Sequence, residues 1–439
     1  MNDGSILQRS AVSLGRPFGQ ADAFDYMRPC ILKGLQATIP YLVLGSVRKA
    51  ICLSFLLVLM LPSSVLQADV RQAGLTISDL PYTPVSAEPT IWPYHLWVSP
   101  EGDDDHDGSR HAPLATIQEA AIRAVPGTAV LVREGDYHEN VKIPHGGSAL
   151  APIWFVSVDG PAKANIIPQN EDIATILGRG TDHIIIKDFA IDGADNRSGI
   201  EFTQAGIDFS NLVVNIVITG NTIYDAGIDG IKIAQTESID IIGNLISGGR
   251  EEGIDFVTVW NATIAQNEVR HTQGPGAIAV KGGSNNILIK QNYVHDVGVD
   301  GILVGGWTDA DLFQLFDGYE AKNITVQENY VQDVGKRPLN FLAAQDSVAT
   351  NNFLDPNNDY FTIVNIEGDN IGFVSRNLTI TDNVVTKDNW LYITPGHDIG
   401  HKIANNKIGN VGLNQVGLKT YQHANPDWLN KINNENGLH

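Results

Sequence analysis

Four short stretches near the middle of the chain hold residues whose types and spacing could do chemistry. Gly230–Ile233, Gly253–Phe256, Ala277–Val280 and Gly301–Val304 begin 23, 24 and 24 residues apart. Side chains alternate along a strand, so Ile231, Ile254, Ile278 and Ile302 would form one inward stack. The positions between must then face outward. One outward column reads Lys232, Asp255, Ala279, Leu303, and the next reads Ala234, Val257, Lys281, Gly305. Two residues ahead of each inward isoleucine lie Asp229, Glu252, Gly276 and Asp300. With strands about 4.8 Å apart, Asp229, Glu252, Asp255 and Lys281 fall into one patch, beside Arg250 and Glu251 in the adjoining turn. Carboxylates so crowded repel one another unless a cation joins them, and calcium takes six to eight oxygens. A lysine whose pKa is lowered by such a cation can act as a Brønsted base. A suitable acid is the C5 proton of a uronic sugar, whose carboxylate the cation neutralises. Loss of that proton, followed by departure of the 4-linked sugar, is β-elimination.

The same residues admit other readings. Asp229 and Asp255 as a carboxylate pair would suit a glycoside hydrolase with no need of Lys281. A surface that binds glycans without turning them over would also carry such groups. Asp and Asn fill tight turns for conformational reasons alone, which leaves Lys281 as a solvated surface residue. An unsaturated, ultraviolet-absorbing product separates lyase from hydrolase.

The elements that must position this patch are set by a repeat. An asparagine returns at Asn221, Asn244, Asn267, Asn292, Asn329, Asn352, Asn383 and Asn406, in steps of 23, 23, 25, 37, 23, 31 and 23. Each follows a short apolar alternation of period two, so the repeats are built of strands. About 23 residues suffice for three short strands and their turns, one coil of a parallel β-helix. An asparagine at the same turn of each coil would stack its amide on the next. The expected fold is all-β, a right-handed parallel β-helix solenoid with an N-terminal capping helix. The 37-residue step holds an insertion, Gly305–Glu320, bringing Trp307, Phe313, Phe316 and Tyr319, aromatics suited to stacking on sugar rings. Further candidates for substrate contact are Lys232, Arg250, Arg270, His271, His295 and Asp300.

The formal net charge of −21 argues against nucleic acid, since nothing would neutralise phosphates. An acidic polysaccharide would likewise need a local basic groove or a bound cation to approach. The two cysteines, Cys30 and Cys52, precede the repeats and offer no disulfide framework there. Residues 1–46 are an unassigned leader. Residues 47–68 carry Arg48-Lys49, a short apolar run and a small residue at Ala68, the pattern of a signal peptide. Its late position suggests translation starting downstream of Met1, at Met27 or Val47. A secreted protein, extracellular or periplasmic, is expected, with no stable membrane insertion after cleavage and with a monomeric state. Residues 69–94 read as a linker, 95–127 as a cap module, 128–414 as the β-helix and 415–439 as a tail. In the cap, Leu114, Ile117, Ala120, Ala121 and Ala124 lie at helical spacing, and Pro126-Gly127 ends the helix. Asp103, Asp105 and Asp107 form half of a calcium-loop pattern, but Leu114 stands where its last glutamate belongs; Asx turns are the alternative.

Residues 95–140 resemble the N-terminal module of secreted β-helix proteins: a strand, a Ser-Pro and Gly-Ser-Asp type loop, an Ala-rich helix and a Pro-Gly turn. Within 225–310, Ile228-Asp229-Gly230-Ile231, Glu251-Glu252-Gly253-Ile254-Asp255 and Val280-Lys281-Gly282-Gly283 resemble polysaccharide lyase family nine, the calcium-dependent pectate lyases. That resemblance implies calcium held by Asp229, Glu251, Glu252 and Asp255, with Lys281 as the base. Two acids are glutamates where the family has aspartates, and Lys281 falls about two places late in its strand. A weaker likeness joins Ile278–Asn286 to the lysine segment of family six, the alginate lyases and chondroitinase B. Gly276-Ala277 and Gly305-Gly306 stand where that family has its glutamate and arginine.

Overall fold

The computed structural model describes residues 92–204, 212–308, 318–356, 360–369 and 371–408, all within the compact unit Pro81–His439. The expected leader, signal peptide and C-terminal tail lie outside these residues, as do Phe313 and Phe316.

Parallel strands dominate because each coil repeats the same alternation in register with the last. Among the described residues, one strand of each coil joins an 11-stranded sheet and the remainder form a 21-stranded sheet. A typical coil runs from Thr222–Tyr224 in the smaller sheet to Ile231–Ile242 in the larger, then returns after Asn244. In the next coil, Ile254–Ala265 bends where Thr258 and Asn261 take positive φ values of 58° and 55°. The fold is therefore the right-handed parallel β-helix that the repeat predicts. Ile231, Ile254, Ile278 and Ile302 stack inward in mutual register and are fully buried.

The asparagine ladder forms along the turn into the smaller sheet. From Asn221 to Asn406 each side-chain amide donates to the next asparagine's Oδ1 at 2.9–3.1 Å. The same Oδ1 accepts the backbone N–H of the preceding asparagine, for instance Asn244 N to Asn267 Oδ1 at 2.9 Å. Buried turn groups are thus satisfied without water.

At the N-terminal end, helix α1 (Ile117–Arg123) lays Ile117, Ala120 and Ala121 over the first coil's open core. Thr116 caps it, accepting from Glu119 N at 3.1 Å, and the Glu139 carboxylate accepts from Ile117 N and Gln118 N. The aspartate-rich loop before it makes Asx turns: Asp103 Oδ1 accepts from Asp105 N and Asp107 Oδ1 from Ser109 N, each at 2.9 Å. Asp104, between them, ties the loop to the helix start through Ala115 N and Thr116 N. None of the described helices is long and apolar enough to cross a membrane.

Candidate active site

Strand register builds the patch. Lys232 pairs with Asp255, Asp255 with Ala279, and Ala279 with Leu303; one column over, Val257 pairs with Lys281. The outward columns therefore stand as alternation requires. Asp229, Glu252 and Asp255 are each no more than 1% exposed. Gly276 follows Glu252 in the third column, where a Cβ would come within 2.8 Å of Leu303 Cβ.

Two lysines bridge these acids. Lys281 Nζ lies 2.8 Å from Glu252 Oε1 and 3.1 Å from Asp255 Oδ1. Lys232 Nζ is hydrogen-bonded to Asp255 Oδ2 and lies 3.6 Å from Asp229 Oδ2. One carboxylate, Asp255, thus carries an ammonium on each oxygen. Burial and then the Asp255 charge push the Asp229 carboxyl well above the usual range, against the pull of Lys232. Burial and Asp255 likewise raise Glu252, while Lys281 opposes them. Burial works against the charge on Lys281, but Asp255 and Glu252 outweigh it and raise its pKa. Lys232 is raised in the same way by Asp255 and Asp229. The lowered lysine pKa expected of a base is therefore not what these side chains produce by themselves. They hold both lysines as ammonium ions.

Asp229, Glu251 and Glu252 each bring a carboxylate oxygen within 4.8 Å of the others, Glu251 at the surface and its partners beneath. Glu252 Oε2 is buried and accepts no hydrogen bond, and Asp229 Oδ2, also buried, has only the Lys232 ammonium 3.6 Å away. Orphaned carboxylate oxygens are costly, and hard oxygen donors at this spacing fit calcium. Asp255, expected as a fourth ligand, differs: its oxygens face the two lysines, and the acid trio forms without it.

The remaining candidates are dispersed. Arg250 and His271 line one groove with Asp195, Asp225, Ser247 and Gln273, at the turns leading from the smaller sheet. Arg270 lies on the smaller sheet, 3.2 Å from the buried Glu268 and hydrogen-bonded to Ser247. His295 sits in register with Arg270 and meets Glu268 and Asp296. Asp300 turns away from the lysines and bonds Asn340 Nδ2 at 2.9 Å and Arg337 N at 3.1 Å. Trp307 is half exposed at the foot of the insertion. Two features were missed in the sequence. Ala279, Leu303 and Leu342 form an outward-facing apolar cluster beside the lysines, which the column of small and apolar residues did foreshadow. Glu320, fully buried after the insertion, binds the peptide following Lys281; no spacing signal marks it.

Known proteins match this architecture in part. A family described as right handed beta helix region matches residues 163–314. The chain is 33% identical over 152 residues to "Uncharacterized protein YwoF" of Bacillus subtilis (strain 168), covering 33% of this chain and 30% of that protein. It is 35% identical over 74 residues to "Pectate lyase PEL9" of Emericella nidulans, covering 16% of this chain and 18% of the lyase. The matches thus span less than a third of either relative's length. Among solved structures, the A-module of Azotobacter vinelandii mannuronan C-5 epimerase AlgE4 superposes with a TM-score of 0.48 at 15% identity, over 64% of this chain and 87% of that one. Pectate lyase Pel9A superposes with a TM-score of 0.39 at 12% identity, over 73% and 78%. The described part of the chain is thus a right-handed parallel β-helix, matched as such over residues 163–314.

Proposed function

We propose that the protein binds an acidic, uronate-containing polysaccharide and cleaves it by β-elimination at the Lys232–Asp255–Lys281 patch. The observation that carries this reading is the pairing of two half-buried ammonium groups with an acid trio in which Glu252 Oε2 accepts no hydrogen bond and Asp229 Oδ2 has only the Lys232 ammonium at 3.6 Å. A uronate carboxylate entering the patch meets the ammonium groups of Lys232 and Lys281, whose charge Asp229, Glu252 and Asp255 offset, so its approach relies on a cation at the acid trio. Asp255 holds the two lysines at fixed positions and limits how far either can swing. Lys281 must first give a proton to solvent, against the pull of Asp255 and Glu252, and its neutral Nζ then takes the C5 proton. The C5–H electron pair becomes the C4–C5 double bond, the C4–O4 bond breaks, and the departing O4 takes a proton from solvent. Calcium held by Asp229, Glu251 and Glu252 would supply charge neutralisation for the substrate carboxylate and for the acids themselves. Arg250, His271 and Trp307 line surfaces beyond the patch where further sugar units would lie. We read the protein as a secreted monomer.

The test is ultraviolet absorbance during incubation with pectate, alginate, glucuronan and glycosaminoglycans, with calcium or chelator, for wild type and Lys281→Ala. Absorbance that requires Lys281 and falls by at least about 10²-fold in the variant supports the assignment. Activity surviving Lys281→Ala removes the base. New reducing ends without absorbance point to a hydrolase, and no turnover points to a binding protein.

A further inference from the structure

Around Lys281 the backbone is held by side chains from three other segments. Gly282 N–H donates to Glu320 Oε2 at 2.8 Å, and the Gly282 carbonyl accepts from Thr258 Oγ1 at 2.8 Å. The Lys281 carbonyl accepts from Ser284 Oγ at 2.7 Å. Glu320 also accepts from Thr308 N and Thr308 Oγ1, each at 2.8 Å, and its own carbonyl accepts from Gly283 N at 2.7 Å. Thr258 holds a φ of 58°, a costly conformation for a β-branched residue and one that tends to persist where surroundings over-determine it. Gly306 lies against the Lys281 stem: a Cβ there would come within 3.0 Å of Lys281 Cβ and Cδ.

Resting on the β-elimination reading, we infer that Glu320 is a positioning residue for Lys281. It clamps the Gly282 peptide to Thr308, so both ends of the Gly305–Glu320 insertion fix the direction in which the lysine projects. Glu320 never meets substrate. Its carboxylate serves three donors on two oxygens, which a glutamine cannot do, since one oxygen becomes an NH₂ facing an N–H or hydroxyl donor. Misplacing a reacting group by about 1 Å costs on the order of 10²-fold in rate without a matching loss of binding.

The experiment compares wild type, Glu320→Gln and Thr308→Ser in full-length protein, reading kcat and KM for β-elimination on the substrate found above. It also reads the rate at which Lys281 is reductively methylated, by peptide mass spectrometry. Glu320→Gln should lower kcat tenfold or more with KM within about twofold, and Thr308→Ser, which keeps the hydroxyl, should stay near wild type. Methylation of Lys281 should quicken several-fold in Glu320→Gln alone. Should Glu320→Gln not fold, Thr308→Val, which removes one donor, carries the same test with a smaller loss. A kcat within twofold of wild type in a folded variant overturns the inference. If wild type eliminates no polyuronate, the functional reading falls and the methylation rate alone decides: quickened, the clamp stands; unchanged, it is refuted.

Discussion

Replacing Asn267 by alanine should cost far more than the same change at Asn406, although both are rungs of one ladder. Asn267 is fully buried. Its Oδ1 accepts from Asn244 N at 2.9 Å and Asn244 Nδ2 at 3.0 Å. Its amide donates to Ile241 O at 2.9 Å and Asn292 Oδ1 at 3.0 Å. Alanine leaves the Asn244 N–H without a partner in a dry turn, a loss of about 1–3 kcal/mol. Asn244 Nδ2 keeps its bond to Ile218 O, and Asn292 Oδ1 keeps that from Asn267 N, so those groups are weakened by about 0.5–1 kcal/mol each. The sum is about 2–5 kcal/mol. Asn406 stands at the last described rung and is only partly buried, so water can replace its bonds to Asn383 and Ile380. About 1 kcal/mol or less is expected there. Urea unfolding followed by far-ultraviolet circular dichroism measures both, read as the midpoint shift at unchanged slope. Equal costs at the two rungs, or less than about 1 kcal/mol at Asn267, would refute the view that the ladder stabilises the solenoid by satisfying buried turn groups.

Two further outcomes are expected. Burial pushes the Asp240 carboxyl up to about 6, against a hydrogen bond from Thr263. Its folded state therefore holds a proton that the unfolded chain, with a pKa of about 3.9, releases, so this group makes stability fall as pH rises from about 4 to 6. Asp240→Asn should raise stability at pH 7 by up to about 3 kcal/mol and leave it nearly unchanged at pH 4; an equal effect at both pH values would contradict the assignment. Calcium in hundredfold excess over its Kd should raise stability by about 2.7 kcal/mol, seen as a higher Tm. The shift should vanish in Glu252→Gln, and persistence of the full shift there would place the ion elsewhere.

The sequence by itself determined the coil, the ladder and the outward columns. A solenoid repeats by translation, so period-two alternation and a step of about 23 residues suffice to place Lys232 beside Asp255 and Val257 beside Lys281. Backbone register is a matter of counting. What lies beyond the Cβ atoms is not. Lys281 crosses from its own column to reach Glu252 and Asp255, and Lys232 claims the other oxygen of Asp255, because long side chains turn toward opposite charge within a buried patch. Asp300, aligned with Asp229 and Glu252 on paper, is drawn instead to Arg337 and Asn340. Burial then sets the protonation preferences, and burial depends on every neighbouring coil rather than on local spacing. Glu320 was illegible for a related reason: it stands 38 residues after the Gly282 it binds, across an insertion that breaks the period. Only the folded chain brings the two together.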